Sequence, residues 1–87
     1  MKADHDKVKS LLKTARGQID GLIKMVDDDR YCMEISHQLL AAQAILRKAD
    51  REVVKAHLQS CVREAFAEGK EEEKIDEIIN LVEKLTK

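Results

Sequence analysis

The chain has 87 residues, of which 38% are charged and 2% aromatic, and its formal net charge is −1 with no Trp and no Pro. This length allows one small domain, residues 1–87, and so few aromatic residues leave little core for a single copy to bury. No apolar run of roughly eighteen residues and no signal or lipidation motif is visible, so we expect a soluble, cytoplasmic protein.

A first helix is predicted to begin after Asp4 or Asp6, either of which is a good N-cap, and to run to about Asp27. Gly17 and Gly21 lie inside this helix, where each lowers helix propensity by roughly 1 kcal/mol relative to Ala. Close approach of another helix, or a local kink, would explain them. The apolar positions recur at helical spacing: Val8, Leu11, Leu12, Ala15, Ile19, Leu22, Ile23 and Val26.

The longest predicted element runs from about Asp29 to Glu68 and contains neither Gly nor Pro. We expect Asp29 to be its N-cap, which places Cys32 at about the third helical position, where a thiolate is stabilised by the helix dipole. Gly69 is expected to end it. Its apolar positions also follow helical spacing: Ile35, Leu39, Ala42, Leu46, Ala49, Val53, His57, Cys61 and Ala65.

A third, shorter helix is predicted from about Glu72 to Leu85. Its apolar face comprises Ile75, Ile78, Ile79, Val82 and Leu85. The predicted fold is therefore all-α, with three helices and a long central one. A helix of about forty residues would leave an apolar stripe in water, so we expect an obligate oligomer.

The two cysteines and one histidine form the candidate functional set. His57 and Cys61 are four residues apart, so they point from one face of the long helix towards a shared position. Cys32 lies 25 positions earlier, roughly 37 Å away along a helix. A second, antiparallel copy centred near residues 43–45 would bring Cys32 of one chain beside His57 and Cys61 of the other, twice by symmetry. Alternatively, Cys32 is unrelated to the pair, and His57 and Cys61 are packing residues.

Two thiolates and one imidazole make a soft ligand set, which suits Cu(I), Zn(II) or an iron–sulfur centre. Structural Zn(II) normally takes four protein ligands, and only three are visible, so Cu(I) fits best. In a cytosolic chain, two cysteines indicate metal or redox chemistry more often than a structural disulfide. His37 lies one turn past Cys32 and His5 near the N-terminus; either could be a further ligand, but a surface or packing role is favoured for His37.

The remaining charge pattern indicates DNA rather than a substrate. Residues 1–63 carry 12 Lys/Arg against 9 Asp/Glu, and an oligomer multiplies this basic excess. On two helices the basic residues form stripes that suit phosphate binding: Lys7, Lys9, Lys13 and Arg16, then Arg47, Lys48, Arg51 and Lys55. No phosphate-binding loop and no Ser/His/Asp set is present, so we expect neither an enzyme nor a small-molecule substrate.

Three segments resemble the CsoR-type metal-sensing repressors, the family that includes the nickel/cobalt sensor RcnR and the formaldehyde sensor FrmR. They are residues 12–21 (LKTARGQIDG), Tyr31-Cys32 and residues 57–61 (HLQSC). The Cys, His, Cys spacing is that of the copper-sensing branch. The resemblance implies an antiparallel dimer that pairs into a homotetramer. It also implies a repressor that binds operator DNA without metal, dissociates on binding Cu(I), and controls copper efflux or resistance genes.

The resemblance also implies roles for individual residues. Tyr31 and Glu77 match positions that support the metal ligands, and the Glu contacts the ligand His. Arg16, Lys48 and Arg51 match DNA-binding positions, and Lys13 is the fourth basic residue that we expect to contact DNA. Leu11 departs from the pattern, because some relatives carry Arg there.

Two other interpretations remain open. The persulfide-sensing branch keeps both cysteines but lacks the His, so His57 argues against a thiol sensor using Cys32 and Cys61. A structural helical oligomer with a Zn(II) clamp and no DNA role is the third interpretation. His5 does not align with the N-terminal His of the nickel branch.

Overall fold

Three α-helices make up the chain in the computed structural model, which describes the backbone of residues 1–86 and the side chains of residues 1–84. Helix α1 spans His5–Asp27, α2 spans Cys32–Glu68 and α3 spans Glu71–Thr86. No strand occurs within residues 1–86, so the predicted all-α class with a long central helix is confirmed. Two predicted features, the Leu85 side chain on the apolar face of α3 and Lys87 at the end of the domain, lie outside the described residues.

Asp4 caps the N-terminus of α1, as one of the two predicted alternatives. Its carboxylate accepts hydrogen bonds from the N–H groups of Asp6 at 3.0 Å and Lys7 at 3.3 Å. These two N–H groups have no partner within the helix, so the Asp4 side chain stabilises the first turn. The helix then continues to Asp27, as predicted.

The connection between α1 and α2 corrects the predicted start of the long helix. Asp29 does not cap α2, because its φ of 52° places it in the left-handed region at the end of α1. Its N–H donates to the carbonyl of Val26 at 3.1 Å, and the N–H of Arg30 donates to that of Met25 at 3.0 Å, which together form a Schellman motif. Cys32 is therefore the first residue of α2 rather than the third. Asp suits both an N-cap and a left-handed position, so the sequence pattern was ambiguous.

The end of α2 follows the prediction. Gly69 adopts φ 73° at the C-cap, and the N–H of Lys70 donates to the carbonyl of Ala65 at 2.9 Å. A left-handed backbone at this position strains any residue with a Cβ, which explains the glycine. Helix α3 begins two residues later at Glu71, one residue before the predicted start.

Helices α1 and α2 pack side by side along a seam of small residues. Lys7 at the start of α1 and Glu52 far along α2 form an ion pair at 3.2 Å, so the two helices run antiparallel. A repeat of seven residues is typical of helices that pack lengthwise. The buried positions on both helices follow this repeat: Val8, Ala15 and Leu22 on α1, and Ala42 and Ala49 on α2.

One protomer is a flat layer of helices. Its dimensions are 58 × 27 × 11 Å and its radius of gyration is 17.7 Å, against about 12 Å for a compact chain of this length. Leu39 and Leu46, predicted on the buried face of α2, are 46% and 42% exposed. Other large apolar side chains are also exposed, among them Leu12, Ile19, Ile23, Val26, Leu40, Phe66, Ile75 and Ile79. The apolar surface of α2 is thus wider than α1 covers.

The two glycines inside α1 have no close neighbour within the protomer. A Cβ built on Gly17 or Gly21 meets no atom within 4 Å. The predicted close approach of another helix is therefore not found within the described residues of one protomer, and the alternative of a local kink is not tested. None of the helices within residues 1–86 combines the length and apolar character needed to cross a membrane.

Candidate metal centre

His57 and Cys61 lie one turn apart on the uninterrupted helix α2. The imidazole Nε2 of His57 and the Sγ of Cys61 are 3.3 Å apart. The Cys61 thiol is free and half-buried, and half of the His57 side chain is exposed. The helical spacing predicted that His57 and Cys61 lie together. Their proximity places an imidazole nitrogen and a sulfur where both can bind one ion.

Glu77 reaches the same position from α3. Its Oε1 lies 3.8 Å from the Nε2 of His57, and the ligand atoms of Glu77, His57 and Cys61 all lie within 4.8 Å of one another. The resemblance implied a contact between Glu77 and the imidazole, and the structure brings these two residues together. Because this contact joins α2 to α3, a change in the orientation of His57 would also alter the contact that α3 makes with α2.

Lys74 is a member of the cluster that the sequence analysis missed. Its Nζ donates to the Oε2 of Glu77 at 3.1 Å, one turn along α3. This hydrogen bond and the charge of Lys74 hold the pKa of Glu77 below its usual range, and His57 adds a smaller effect in the same direction. The same hydrogen bond, followed by the charges of Glu77 and Cys61, raises the pKa of Lys74. The Lys and Glu three residues apart were a visible signal, but such pairs are common on exposed helices.

Cys32 is not part of this cluster within one protomer. It is an exposed free thiol at the opposite end of α2, and 25 helical positions correspond to roughly 37 Å. Tyr31 precedes it as the N-cap of α2 and is 69% exposed. One protomer therefore supplies two of the three predicted metal ligands in one place, and Cys32 and Tyr31 at another.

The donor atoms present fit the metal that the resemblance implies. With the zinc bond lengths of about 2.0 Å to nitrogen and 2.3 Å to sulfur, two ligands of one tetrahedral ion lie roughly 3.5 Å apart, close to the 3.3 Å between His57 and Cys61. Thiolate and imidazole donors suit soft or borderline ions such as Cu(I) and Zn(II). His57 and Cys61 are therefore suitable ligands for Cu(I), which still requires a third donor atom.

The four basic residues expected to contact DNA are exposed. Lys13 and Arg16 lie on α1, and Lys48 and Arg51 lie on α2. Among the side chains of residues 1–84, none of the four makes an ion pair, whereas Lys7, Arg30, Lys70 and Lys74 do. Their charges are therefore available to an outside anion.

Comparisons with known proteins agree with this arrangement. A profile of the family described as metal-sensitive transcriptional repressor matches residues 4–84. The copper-sensing transcriptional repressor CsoR of Mycobacterium ulcerans (strain Agy99) is 42% identical over 71 residues, which are 82% of this chain and 61% of that protein. The chain thus spans about three fifths of the length of this mycobacterial relative. CsoR of Bacillus subtilis (strain 168) is 33% identical over 97% of this chain and 83% of its own length.

Two solved structures share the fold. The copper-sensing repressor CsoR with Cu(I) from Geobacillus thermodenitrificans NG80-2 has a TM-score of 0.79 and 34% identity, covering 94% of this chain and 85% of that one. The nickel-responsive transcriptional regulator InrS has a TM-score of 0.84 and 26% identity, covering 98% and 96%. The predicted resemblance is confirmed, and so is the prediction that the chain is not an enzyme, because the matching family comprises transcriptional repressors. Since one of these two proteins is copper-sensing and the other nickel-responsive, the fold alone does not determine which metal ion is bound.

Proposed function

The chain belongs to the metal-sensitive transcriptional repressor family, and on this premise we propose that it is a Cu(I)-responsive repressor acting on DNA in the cytoplasm. It binds operator DNA without metal and releases it when Cu(I) binds. Cys32 of one protomer, with His57 and Cys61 of another, holds the ion. The observation that carries the proposal is the 3.3 Å separation of the His57 Nε2 and the Cys61 Sγ, with a free and exposed Cys32 at the far end of the same helix.

The uncovered apolar surface supports the shared site. Among the described residues, the buried apolar side chains are only those of Ala3, Val8, Ala15, Leu22, Ala42, Ala49 and Ala65. A groove of about 370 Å³ near the Cys32 end of α2 is lined by Ile19, Leu22, Ile23, Val26, Ile35 and Leu39. A second, antiparallel copy would cover this groove and bring its own His57 and Cys61 towards Cys32. The two-fold contact would create two equivalent sites.

Glu77 supplies the connection between copper and the rest of the protomer. Because its carboxylate contacts His57 from α3, an ion that reorients the imidazole also moves α3 relative to α2. Copper can shift the oligomer away from its DNA-binding form only if it binds the two forms with different affinity. By linkage, DNA must then weaken Cu(I) binding by the same factor.

The DNA surface is formed by Lys13 and Arg16 on α1 and Lys48 and Arg51 on α2. These exposed cations would neutralise phosphates, and repetition across a homodimer or homotetramer would enlarge the basic face. Such binding weakens as the salt concentration rises, because counterions are released from the DNA.

The experiment uses a duplex selected from genomic fragments by the metal-free protein. Its affinity is measured by fluorescence anisotropy with and without Cu(I), under anaerobic conditions and at fixed salt. We expect Cu(I) to weaken binding by about 5–150-fold, the usual range of allosteric coupling. Equal affinity in the two conditions would refute the proposal.

A thiol sensor is the second candidate function, favoured by the position of Cys32 as the first, exposed residue of α2. An exposed free thiol is accessible to oxidants and to other thiols, whereas a buried one is not. The signal would then be a disulfide between Cys32 and the partner's Cys61, formed by a two-electron oxidant, or a polysulfide bridge whose extra sulfur comes from an inorganic polysulfide, and His57 would be incidental. The variant His57→Ala distinguishes the two functions, because it should abolish the response to copper and spare a response to inorganic polysulfide or to an oxidant.

A further inference from the structure

A complete set of three different donor atoms exists within one protomer. The Nε2 of His57 faces both the Sγ of Cys61 at 3.3 Å and the Oε1 of Glu77 at 3.8 Å. The carboxylate therefore lies on the same side of the imidazole as the sulfur, whereas a residue that only supports a metal ligand would contact the other ring nitrogen. No atom of Cys32 is needed for this set.

The separations are close to those of a tetrahedral zinc site. Zinc bonds of about 2.3 Å to sulfur and 2.0–2.2 Å to nitrogen or oxygen place the ligand atoms about 3.3–3.6 Å apart. The three atoms here lie within 4.8 Å of one another, so closure requires side-chain movements of about 1 Å. The side chains of His57 and Glu77 are 50% and 45% exposed, so solvent rather than packed protein borders about half of each.

Lys74 leaves one carboxylate oxygen free for an ion. It binds the Oε2 of Glu77, whereas Oε1 faces the imidazole. A thiolate and a carboxylate together neutralise a divalent cation. The oxygen ligand makes the set harder than the two sulfurs and one nitrogen proposed for copper, so it favours a borderline divalent ion over Cu(I).

We propose that each protomer binds a borderline divalent cation, for which Zn²⁺ is the best match, through His57, Cys61 and Glu77, with the fourth position open to water. The ion joins α2 to α3 within a single chain. It occupies two of the proposed copper ligands without requiring Cys32 of the partner subunit. Zn²⁺ and Cu(I) therefore compete for His57 and Cys61, but they use different third ligands.

The test uses the reduced Cys32→Ser protein, which keeps all three ligands of this site and lacks the third copper ligand. It is titrated with Co²⁺, a visible probe for zinc sites, under anaerobic conditions. We expect one ion per protomer, a thiolate-to-cobalt charge-transfer band and the intense visible bands of tetrahedral cobalt, all removed by adding Zn²⁺. Absence of the charge-transfer band would overturn the proposal.

Glu77→Gln in the same background tests the carboxylate, with Asp76→Asn on the neighbouring exposed position as the matched control. We expect Glu77→Gln to weaken Co²⁺ binding at least about tenfold and to shift the visible bands, while Asp76→Asn changes neither. Helix content by circular dichroism checks that both variants fold. Unchanged Co²⁺ binding in Glu77→Gln would contradict the proposal.

A comparison with Cu(I) distinguishes a ligand from a supporting residue. With Cys32 present, Glu77→Gln should weaken Co²⁺ binding more than Cu(I) binding, and an equal loss for both ions would show that Glu77 only positions His57. A separate measurement tests the proposed copper function. If Cys32→Ser keeps its release of DNA by Cu(I), the shared copper site is wrong, whatever the Co²⁺ titration shows.

Discussion

The α1–α2 pair and the α2–α3 junction hold their helices in different ways. The first buries Val8, Ala15 and Leu22 of α1 in a seam against α2. In the second, no described side chain of α3 is buried, and the contacts with α2 include the exposed pair of Glu77 and His57. Segments with few buried contacts are those that open or move most easily. The predicted metal ligands thus lie on α2, and the residue expected to report on them lies on α3, which buries none of its described side chains.

The largest effect on this comparison is expected from removing a proposed metal ligand from α2. We expect His57→Ala to weaken Cu(I) binding by more than the 10–100-fold that is typical for loss of a supporting residue, without changing the stability of the α1–α2 pair. Competition with a Cu(I) chelator measures the first quantity, and thermal unfolding measures the second. A copper affinity equal to that of the unaltered protein would remove His57 from the site. His37→Ala, an exposed histidine on the same helix, is the control.

Overpacking the seam should lower stability next most strongly. Ala15 is 2% exposed, and we expect Ala15→Leu to reduce the free energy of unfolding by about 1–3 kcal/mol, because the added methyl groups have no space between α1 and α2. Chemical denaturation followed by circular dichroism measures this change. Ala67→Leu, at an exposed position near the end of α2, should leave stability nearly unchanged. Equal effects of the two variants would mean that the seam is not tightly packed.

Substitutions in the turn between α2 and α3 should lower the stability of the protein somewhat less than overpacking the seam does. Gly69 has φ 73°, and a residue with a Cβ is strained there by about 1–2 kcal/mol. We therefore expect Gly69→Ala to destabilise the protein by that amount, whereas Gly69→Asn should lose less because Asn tolerates the left-handed region. Thermal unfolding of both variants tests this order. A larger loss of stability in Gly69→Asn than in Gly69→Ala would contradict a left-handed backbone at the cap.

The smallest expected effect concerns the carboxylate at the junction. Since the hydrogen bond and charge of Lys74 lower the pKa of Glu77, Lys74→Met should raise that pKa towards its ordinary value. A lowered folded-state pKa contributes stability that is present above the unfolded pKa and is lost as the pH falls through the folded pKa. The stability difference between Lys74→Met and the unaltered protein should therefore shrink on acidification through this range. Carbon-detected NMR titration of Glu77 at low salt measures the pKa directly, and an unchanged value would exclude the pair.

Most of the fold followed from the sequence, because helical spacing and Gly69 each have one dominant physical meaning, and the two candidate caps of α1, Asp4 and Asp6, are only two residues apart. The start of α2 did not, since Asp29 suits either side of a helix boundary and only the hydrogen bonds of the connection decide between them. Helical spacing also showed that Leu39 and Leu46 share a face with Ala42 and Ala49, but it could not show that α1 is too narrow to cover both leucines.

The candidate site was only partly predictable. The four-residue spacing of His57 and Cys61 specified their proximity, because both lie on one helix. The contact of Glu77 with His57 depends on how α3 folds back on α2, and it entered only through the family resemblance. Lys74 was missed because an exposed Lys three residues before a Glu is common. That the Glu77 carboxylate and the Cys61 sulfur both lie near the Nε2 of His57 is a matter of side-chain geometry, which no spacing specifies.

The most direct test of the account is whether two incomplete protomers can make one copper site. A Cys32→Ser chain keeps His57 and Cys61, and a chain with His57→Ala and Cys61→Ser keeps Cys32, so neither alone has all three proposed ligands. The two are mixed, refolded together and loaded with Cu(I), and X-ray absorption reports the ligands. The account predicts that the mixture alone gains three-coordinate copper with two sulfur ligands and one nitrogen ligand. A mixture whose spectrum is the sum of its two parts would contradict a site shared between protomers.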